Sequence, residues 1–466
     1  MGLREVHVFS RSDGLVMGSS SLTWGTAIGI VLGVAYAASP LTVWFVLVMI
    51  GLFAWAGRGL TDRERRHVWG ILAVAVMIRG LAVAALFLTS NHYVPVSFVW
   101  DGDGVYLKMR AMVIRNGWLG IPNYPYDVFR AFQRSYGWSP YLYVLAYLQY
   151  LTGPAPYGVH LFNVTMYLAA AVVMHRLVRS AYGKASALLG LALMVFLPTL
   201  ISWSVSALKE ALYIFLCAVA LMAVVTALRA SRMWERAFGI ALLAGAIAAN
   251  SAVRAGASVI MIVGIVSGLA GNIVVRRVGL VVLFLTLVPF VVLGLRDNAG
   301  VQAWTMFQLK VSAARQVGNV KTPGHHYKLL DRRIYSGDPD DPAATMTAAE
   351  GRRFVVRALL SIVFVPLPWQ VESVPEMIFL AEQVIWYLLV VFACVGLVAG
   401  LRRDALVTCM LAGLSAAGAA VIAFNSGNIG TMVRLRDTIV PFVLWLSAVG
   451  MVATVSTLYK ESTPCL

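Results

Sequence analysis

Charge is scarce in this chain. Asp, Glu, Lys and Arg make up 12% of its 466 residues, against 60% apolar residues and a mean hydropathy of +0.80. A soluble globular domain carries about 25% charged residues, so the shortage excludes that class and points to a polytopic membrane protein. Cysteine is scarce too. Cys217, Cys394, Cys409 and Cys465 have no metal-ligand spacing, and the first three lie in apolar runs, where a thiol acts as a small hydrophobe. None falls in the long loops assigned below to the outer face, so no structural disulfide is expected. Residues 1–21 are polar and lack a cleavable-signal pattern, so the first apolar run is expected to stay in the membrane. No linker marks a separate soluble domain, and no internal repeat is visible. Acidic residues are the scarcest charges, 21 against 37 basic ones, for a net +16. Cytoplasmic anchoring accounts for a basic excess in a membrane protein, and nucleic acid is not an expected partner.

What is present is a series of membrane-length apolar runs. They predict an all-α polytopic fold of about 12 transmembrane helices (range roughly 11–13), at about 20 residues per span. The runs lie near 22–38, 41–57, 69–89, 157–178, 185–204, 209–228, 236–252, 256–274, 278–295, 377–400, 404–424 and 438–458. The first two are joined only by Ser39-Pro40, which reads as a helical hairpin. With the N-terminus inside, the inner loops hold Arg58/Arg63/Arg65/Arg66, Arg176/Arg179/Lys184, Arg229/Arg232/Arg236, Arg276/Arg277 and Arg402/Arg403. Every short inner connection is then basic, as the positive-inside rule requires.

The chain divides accordingly. Residues 1–21 form a cytoplasmic N-terminal segment, 22–89 the N-terminal transmembrane helices, and 90–156 a first long extracytoplasmic loop. A central bundle at 157–295 follows, then a second outer loop at 296–376, C-terminal helices at 377–458 and a cytoplasmic tail at 459–466. Both long loops are expected to carry a helix lying in the membrane interface. In the first loop this is the tyrosine-rich 140–151, too short to span; in the second it is 354–369, ending Pro366-Leu-Pro-Trp369.

The outer side holds the residues with chemistry to offer. Phe98-Val-Trp-Asp101-Gly-Asp103-Gly-Val-Tyr106 places two carboxylates among glycines, which reads as a loop or turn. One carboxylate caps a helix starting at Val105, and the other is either solvated or a general base in a partly dehydrated site. Glu210 follows Lys209 at the outer start of a span; it is an interfacial anchor satisfied by its neighbour, or a second site carboxylate facing Asp103. Arg434 and Arg436 precede Pro441, and Arg254 follows Asn250 near another outer end. Arginine suits bidentate phosphate binding. The second loop adds Lys310, Arg315, Lys321, Lys328, Arg332, Arg333, Arg352 and Arg353, which Asp331, Asp338, Asp340, Asp341 and Glu350 can pair. His325-His326 has no evident third ligand and reads as solvated. Arg79, mid-span, must face the bundle interior. Trp100, Trp118, Trp138 and the loop tyrosines are interfacial belt residues or stacking surfaces for a sugar.

Several of these residues occur in a recognisable order. Asp103-Gly-Val-Tyr106, Ala111, Gly117, Pro122, Tyr124, Trp138-Ser-Pro140-Tyr-Leu-Tyr-Val-Leu and Leu151-Thr-Gly-Pro-Ala-Pro are followed by Leu161-Phe-Asn163, Arg176-Leu-Val-Arg-Ser-Ala-Tyr-Gly183, Pro198 and Ser206-Ala-Leu-Lys-Glu210. This stretch of about 98–228 resembles the C-type integral-membrane glycosyltransferases that use polyprenyl-phosphate-linked sugars, including the protein-mannosyltransferase-like group. Asn428-Ile-Gly-Thr-Met-Val-Arg434-Leu-Arg436 to Pro441 is similar to a late motif of bacterial polysaccharide-assembly proteins. The resemblance implies an outer-loop aspartate, matched by Asp103, as catalytic base, with Asp101 its substitute or metal partner and Glu210 as the later acidic residue. Where that family usually has an acidic residue directly after the aspartate, this chain has Gly104.

The expectation is therefore an inverting glycosyltransferase on the outer face of the cytoplasmic (inner) membrane, with both termini inside. It would move a sugar from a polyprenyl-phosphate-linked donor to a glycan, lipid or protein acceptor in cell-envelope polysaccharide or glycolipid assembly. Asp103, Asp101 and Glu210 would be catalytic; Tyr106, Lys209, Arg254, Arg434, Arg436 and Trp138 would bind substrate. Membrane lipid is a further partner, and a divalent cation (Mg or Mn) at Asp101 and Asp103 a conditional cofactor. The rivals are an oligosaccharide-repeat polymerase, a flippase or transporter of lipid-linked sugar, and a noncatalytic scaffold of a wall-assembly complex.

Overall fold

The computed structural model describes residues 24–27, 29, 30, 33, 40–89, 98–132, 139–153, 157–254, 256–275, 277–296, 298–318, 346–371 and 374–461. Among them, every regular element is a helix. We number these α1 (Pro40–Gly57), α2 (Asp62–Thr89), α3 (Phe98–Trp118), α4 (Pro125–Phe132), α5 (Tyr141–Thr152), α6 (Gly158–Tyr182), α7 (Lys184–Phe196), α8 (Pro198–Val205) and α9 (Glu210–Arg229). There follow α10 (Met233–Val253), α11 (Ala257–Val275), α12 (Val278–Arg296), α13 (Ala299–Gly318), α14 (Ala348–Phe364), α15 (Val374–Arg403), α16 (Ala405–Asn425), α17 (Ile429–Arg436) and α18 (Val440–Glu461). Nine helices among the described residues are long and apolar enough to cross a membrane, or ten if the bent pair α7–α8 is one span. The protein is an all-helical polytopic membrane protein.

The expected span at 185–204 is not one straight helix. It breaks at Leu197, where α7 and α8 diverge by 61°. Pro198 has no N–H to continue the ladder and holds Leu197 extended, at φ −62° and ψ 124°. Arg79 occupies the break. Its Nη1 donates to the Val195 carbonyl at 3.0 Å and its Nε to Ser204 Oγ at 2.8 Å, with the guanidinium 5.1 Å from the centre of the Tyr167 ring. The intramembrane arginine thus faces inward, as expected, and one of its partners, the Val195 carbonyl, is a group that the break frees.

The expected turn at Asp101–Asp103 is also replaced by helix, since α3 begins at Phe98 and continues through both aspartates and both glycines. Each glycine costs a helix about 1 kcal/mol. Packing opposes that cost: Leu107 and Ala111 of α3 are buried against Tyr141, Leu142, Leu145 and Ala146 of α5.

Helix contacts through the core are close where glycine permits. A Cβ added at Gly396 or at Gly450 would overlap the backbone of the facing helix, at the Leu446 and Phe392 carbonyls respectively. These positions seat α15 on α18 by small-residue packing, as membrane interiors favour.

The basic loops gather at one end of the bundle. Arg179 pairs with Glu64, Arg176 Nη1 donates to the carbonyls of Trp55 and Arg58, Arg229 pairs with Asp404, and Arg403 Nη1 donates to the Tyr182 carbonyl. Four loops expected on one side of the membrane are therefore tied together there. Segments 1–21 and 319–345, with His325 and His326, lie outside the described residues.

Candidate functional site

At the opposite end, α8 stops at Val205 and α9 starts at Glu210, with Ser206–Lys209 as a bend between them. Its carbonyls are satisfied by side chains from other helices. Asn163 Nδ2 donates to Ser206 O at 2.6 Å and to Leu208 O at 2.7 Å, and Tyr141 Oη donates to Leu208 O at 3.2 Å. Burial pushes the Tyr141 phenol up from its ordinary value, so it remains a donor. His160 Nδ1 lies 2.6 Å from Val205 O and so carries the ring proton, which leaves Nε2 to accept from Lys108 Nζ at 3.4 Å. The bend is held from both sides, which places Glu210 in the first turn of α9, where the helix dipole favours its charge.

Glu210 is 5% exposed. Arg434 of α17 approaches it, with Nη2 at 3.9 Å from Oε1, while Glu210 Oε2 has no hydrogen-bond donor among the described residues. The Arg434 guanidinium also lies 5.7 Å from the centre of the Trp203 ring, a cation–π distance. Short α17 is anchored at its start by Asn428, whose Oδ1 accepts from the Thr431 amide at 2.6 Å. Trp203 donates through Nε1 to Asp437 Oδ2, so one indole bridges the end of α8 and the turn after α17.

Behind this pair lies a second, deeper group of charges. Arg436 is fully buried; its Nη1 donates to Gln383 Oε1 at 2.7 Å and to Val365 O at 3.3 Å, and its guanidinium lies 5.1 Å from the centre of the Trp386 ring. Asp437 is 3% exposed and stands beside Glu382. Burial pushes the Asp437 carboxyl well above its ordinary value, and the Glu382 carboxyl adds to the shift against the opposing pull of Arg436 and Trp203. The end of the bundle therefore offers a carboxylate with an oxygen that has no donor among the described residues, a guanidinium facing it and a second pair of carboxyls, Asp437 and Glu382, beneath.

Helix α3 is docked against this arrangement. Leu107 and Ala111 share an apolar cluster with Ala207 and Leu208, immediately before Glu210, and Trp203 packs on the same cluster. Asp103 stands one turn before Leu107 in the same register, at i, i+4 and i+8 with Leu107 and Ala111. Asp101 and Asp103 are about 200° apart around the helix axis. Among the described residues no group of three or more His, Cys, Asp or Glu is placed to hold a metal.

The structure thus brings Glu210 and Arg434 together, with Lys209 beside Glu210 at the α9 N-terminus, and holds Arg436 against Gln383, Val365 and Trp386 instead. Arg254 ends α10 near Tyr213, one turn along α9 from Glu210. For Asp101, Asp103 and Tyr106 the description covers the backbone, and Trp138 lies outside the described residues. Sequence reasoning missed Glu382, Gln383, Trp203, Asp437 and the His160–Lys108 contact. Glu382-Gln383 had a signal: a carboxylate within a membrane-length apolar run marks a functional position by default. No family model, curated protein or solved structure matches the chain.

Proposed function

We propose that the protein is a glycosyltransferase that takes a sugar from a polyprenyl-phosphate-linked donor and transfers it to a hydroxyl of a glycan, lipid or protein acceptor. The observation that carries this reading is the face-off of Glu210 and Arg434 across a 3.9 Å separation, beside the helix that bears Asp103. Transfer needs a base for the acceptor hydroxyl and a cation for the departing phosphate. In this reading Asp103 takes the hydroxyl proton, and the acceptor oxygen bonds to the anomeric carbon as the bond to phosphate breaks, inverting that centre. Arg434 receives the developing phosphate charge, and Glu210 holds Arg434 in place.

The same reading sets the topology. The tied basic loops face the cytoplasm, following the positive-inside bias, and the Glu210 end faces out of the cytoplasmic membrane. Adding 22–38 and Pro289-containing α12 to the ten spans gives the expected total of about 12. The work would belong to cell-envelope polysaccharide or glycolipid assembly, and an oligosaccharide-repeat polymerase is the form it takes when the acceptor is itself lipid-linked.

The test is transfer of labelled sugar from a panel of polyprenyl-phosphate sugars in liposomes. Asp103→Asn should lower the rate by about 10²- to 10⁴-fold, the usual contribution of a general base, with expression unchanged. An undiminished rate would sink the role of Asp103. One observation favours a second reading. A spanning helix broken by 61° around Arg79 is the kind of discontinuous element that transporters use. Under that reading the protein is a flippase, and lipid-linked sugar crosses the liposome bilayer without transfer.

A further inference from the structure

Helix α14 does not lie flat. Its upper part packs at the outer end of the bundle, where Phe354 meets Phe424, next to the last residue of α16, with ring centres 6.0 Å apart. Its lower end is held inside the apolar stretch of α15 that begins at Leu380. Gln383 Nε2 donates to Val363 O at 2.7 Å and Tyr387 Oη to Phe364 O at 2.9 Å. From Leu380 to Tyr387 a helix advances about 10 Å. So α14 descends from the outer surface into the depth of the bilayer. A capping box fixes its upper end, with Thr347 Oγ1 accepting from the Glu350 amide and Glu350 Oε2 accepting from the Thr347 amide.

The exposed side of α14 is sorted along this descent. Arg352, Arg353 and Arg357 are exposed in its upper half, and Leu359, Leu360 and Phe364 in its lower half, with Trp369 beyond. A helix on the water surface would not present that lower half, and one wholly in hydrocarbon would not carry three arginines. Beside it runs a groove of about 300 Å³, lined by Gln316 and Arg357 towards the upper end of α14 and mainly by apolar side chains, Leu360, Phe364 and Leu367, towards the lower, with Gln370 beyond them. Its floor includes Val365, whose carbonyl accepts from Arg436.

We propose that this groove binds a phosphate-bearing lipid, with the phosphate on Arg357 and Arg353 and one chain along Leu360, Phe364 and Leu367. Guanidinium groups suit phosphate oxygens, and the apolar half matches a hydrocarbon chain at the depth where one would lie. The contact from Val365 to Arg436 joins the groove to the buried charges of the candidate site. A bilayer phospholipid and a polyprenyl phosphate share this chemistry. Because binding is read directly, the proposal stands or falls apart from the transferase reading.

The experiment uses the purified full-length chain in phosphatidylcholine vesicles doped with phosphatidylglycerol that carries a photoactivatable acyl chain, with labelled peptides mapped by mass spectrometry. Label should concentrate on residues 357–370. It should fall about fivefold for Arg353→Gln or Arg357→Gln alone and roughly 25-fold for both, following the contribution of a basic residue near an anionic surface. Leu360→Trp, which fills the lower half without touching charge, should reduce label as well and serves if the double variant folds poorly. Equal labelling by a phosphatidylcholine probe, indifferent to the arginine substitutions, would overturn the proposal by reducing the groove to a contact with bulk lipid. Displacement by polyprenyl monophosphate at low mole fraction would identify that carrier as the ligand, and resistance to it would identify the phospholipid; either supports the site. Displacement by inorganic phosphate alone would overturn the role given to the chain.

Discussion

Glu64 and Glu210 sit at opposite ends of the bundle and are almost equally buried, at 6% and 5% exposed. Glu64 is met by Arg179 through two hydrogen bonds of 2.6 and 3.0 Å. Glu210 is met by Arg434 only at 3.9 Å, and one of its oxygens has no donor among the described residues. Burying a carboxylate is costly unless its hydrogen bonds are completed. At the basic end that cost is offset by a bidentate pair that ties two loops together. At the other end it is not: among the described residues Glu210 Oε2 and Nε and Nη2 of Arg436 have no hydrogen-bond partner. Unfilled valences on buried charges are what a site keeps for a ligand, whereas a matched pair has nothing left to bind with. On the proposed function, the difference between the two ends separates a fastening from a site.

The sharpest way to break that distinction is to neutralise both glutamates in turn. Glu210→Gln should lower transfer by about 10²- to 10³-fold, the range seen on removing one preorganised charge-stabilising group, while moving the thermal midpoint little. Glu64→Gln should do the reverse, leaving transfer intact and costing about 1–2 kcal/mol through the guanidinium and loop it releases. Labelled-sugar transfer and thermal unfolding in detergent, run on both variants, make the comparison. Equal loss of activity from both would mean that the two ends are not functionally distinct.

The next largest effect belongs to Arg436, where the Glu210 end has structural work of its own. It is the fully buried cation beside Asp437 and Glu382. Arg436→Met would leave the carboxyls without it and should destabilise the protein by about 3 kcal/mol, read as a fall in the thermal midpoint. Arg434→Gln, on the more open member of the two, should spare stability and reduce transfer. A stability loss from Arg434→Gln as large as that from Arg436→Met would erase the difference between them.

Much of the architecture was legible because membrane burial leaves a one-dimensional record. The apolar runs at 209–228, 236–252 and 256–274 reappear as α9, α10 and α11 with small shifts at their ends. The basic connections around Arg58, Arg179, Arg229 and Arg403 meet at one end, as their charge implied. What escaped depended on partners distant in sequence. Trp203 and Asp437 are 234 residues apart, and neither carries a local mark of the other. The aspartates of α3 misled in a different way. Glycines beside carboxylates favour a turn, and that local preference yielded to the packing of Leu107 and Ala111 on α5. Pro198 was visible as a breaker, yet the length of the 185–204 run concealed the break. Of the candidate site, Glu210, Arg434 and Arg436 were singled out because polar residues at apolar ends stand out; Glu382 was passed over because it lies inside a run.

The smallest effect tests the Asp437–Glu382 pair. Burial raises the Asp437 carboxyl well above its ordinary value of 3.8, aided by Glu382 and opposed by Arg436 and Trp203. A raised carboxyl means that the folded protein holds a proton which the unfolded chain has released. The contribution of this group to stability is therefore full below about 3.8 and is lost as pH rises towards and through the folded value. Asp437→Asn cannot titrate, yet its side-chain oxygen still accepts from Trp203. Relative to the wild type, the variant should gain stability as pH rises above 5, until the folded value is passed, in thermal midpoints measured in detergent on both proteins up to pH 9. A constant difference across that range would mean that Asp437 is ionised throughout. The Glu210 end would then bury a full negative charge against Arg436, and its contrast with the Glu64–Arg179 end would narrow to one of geometry alone.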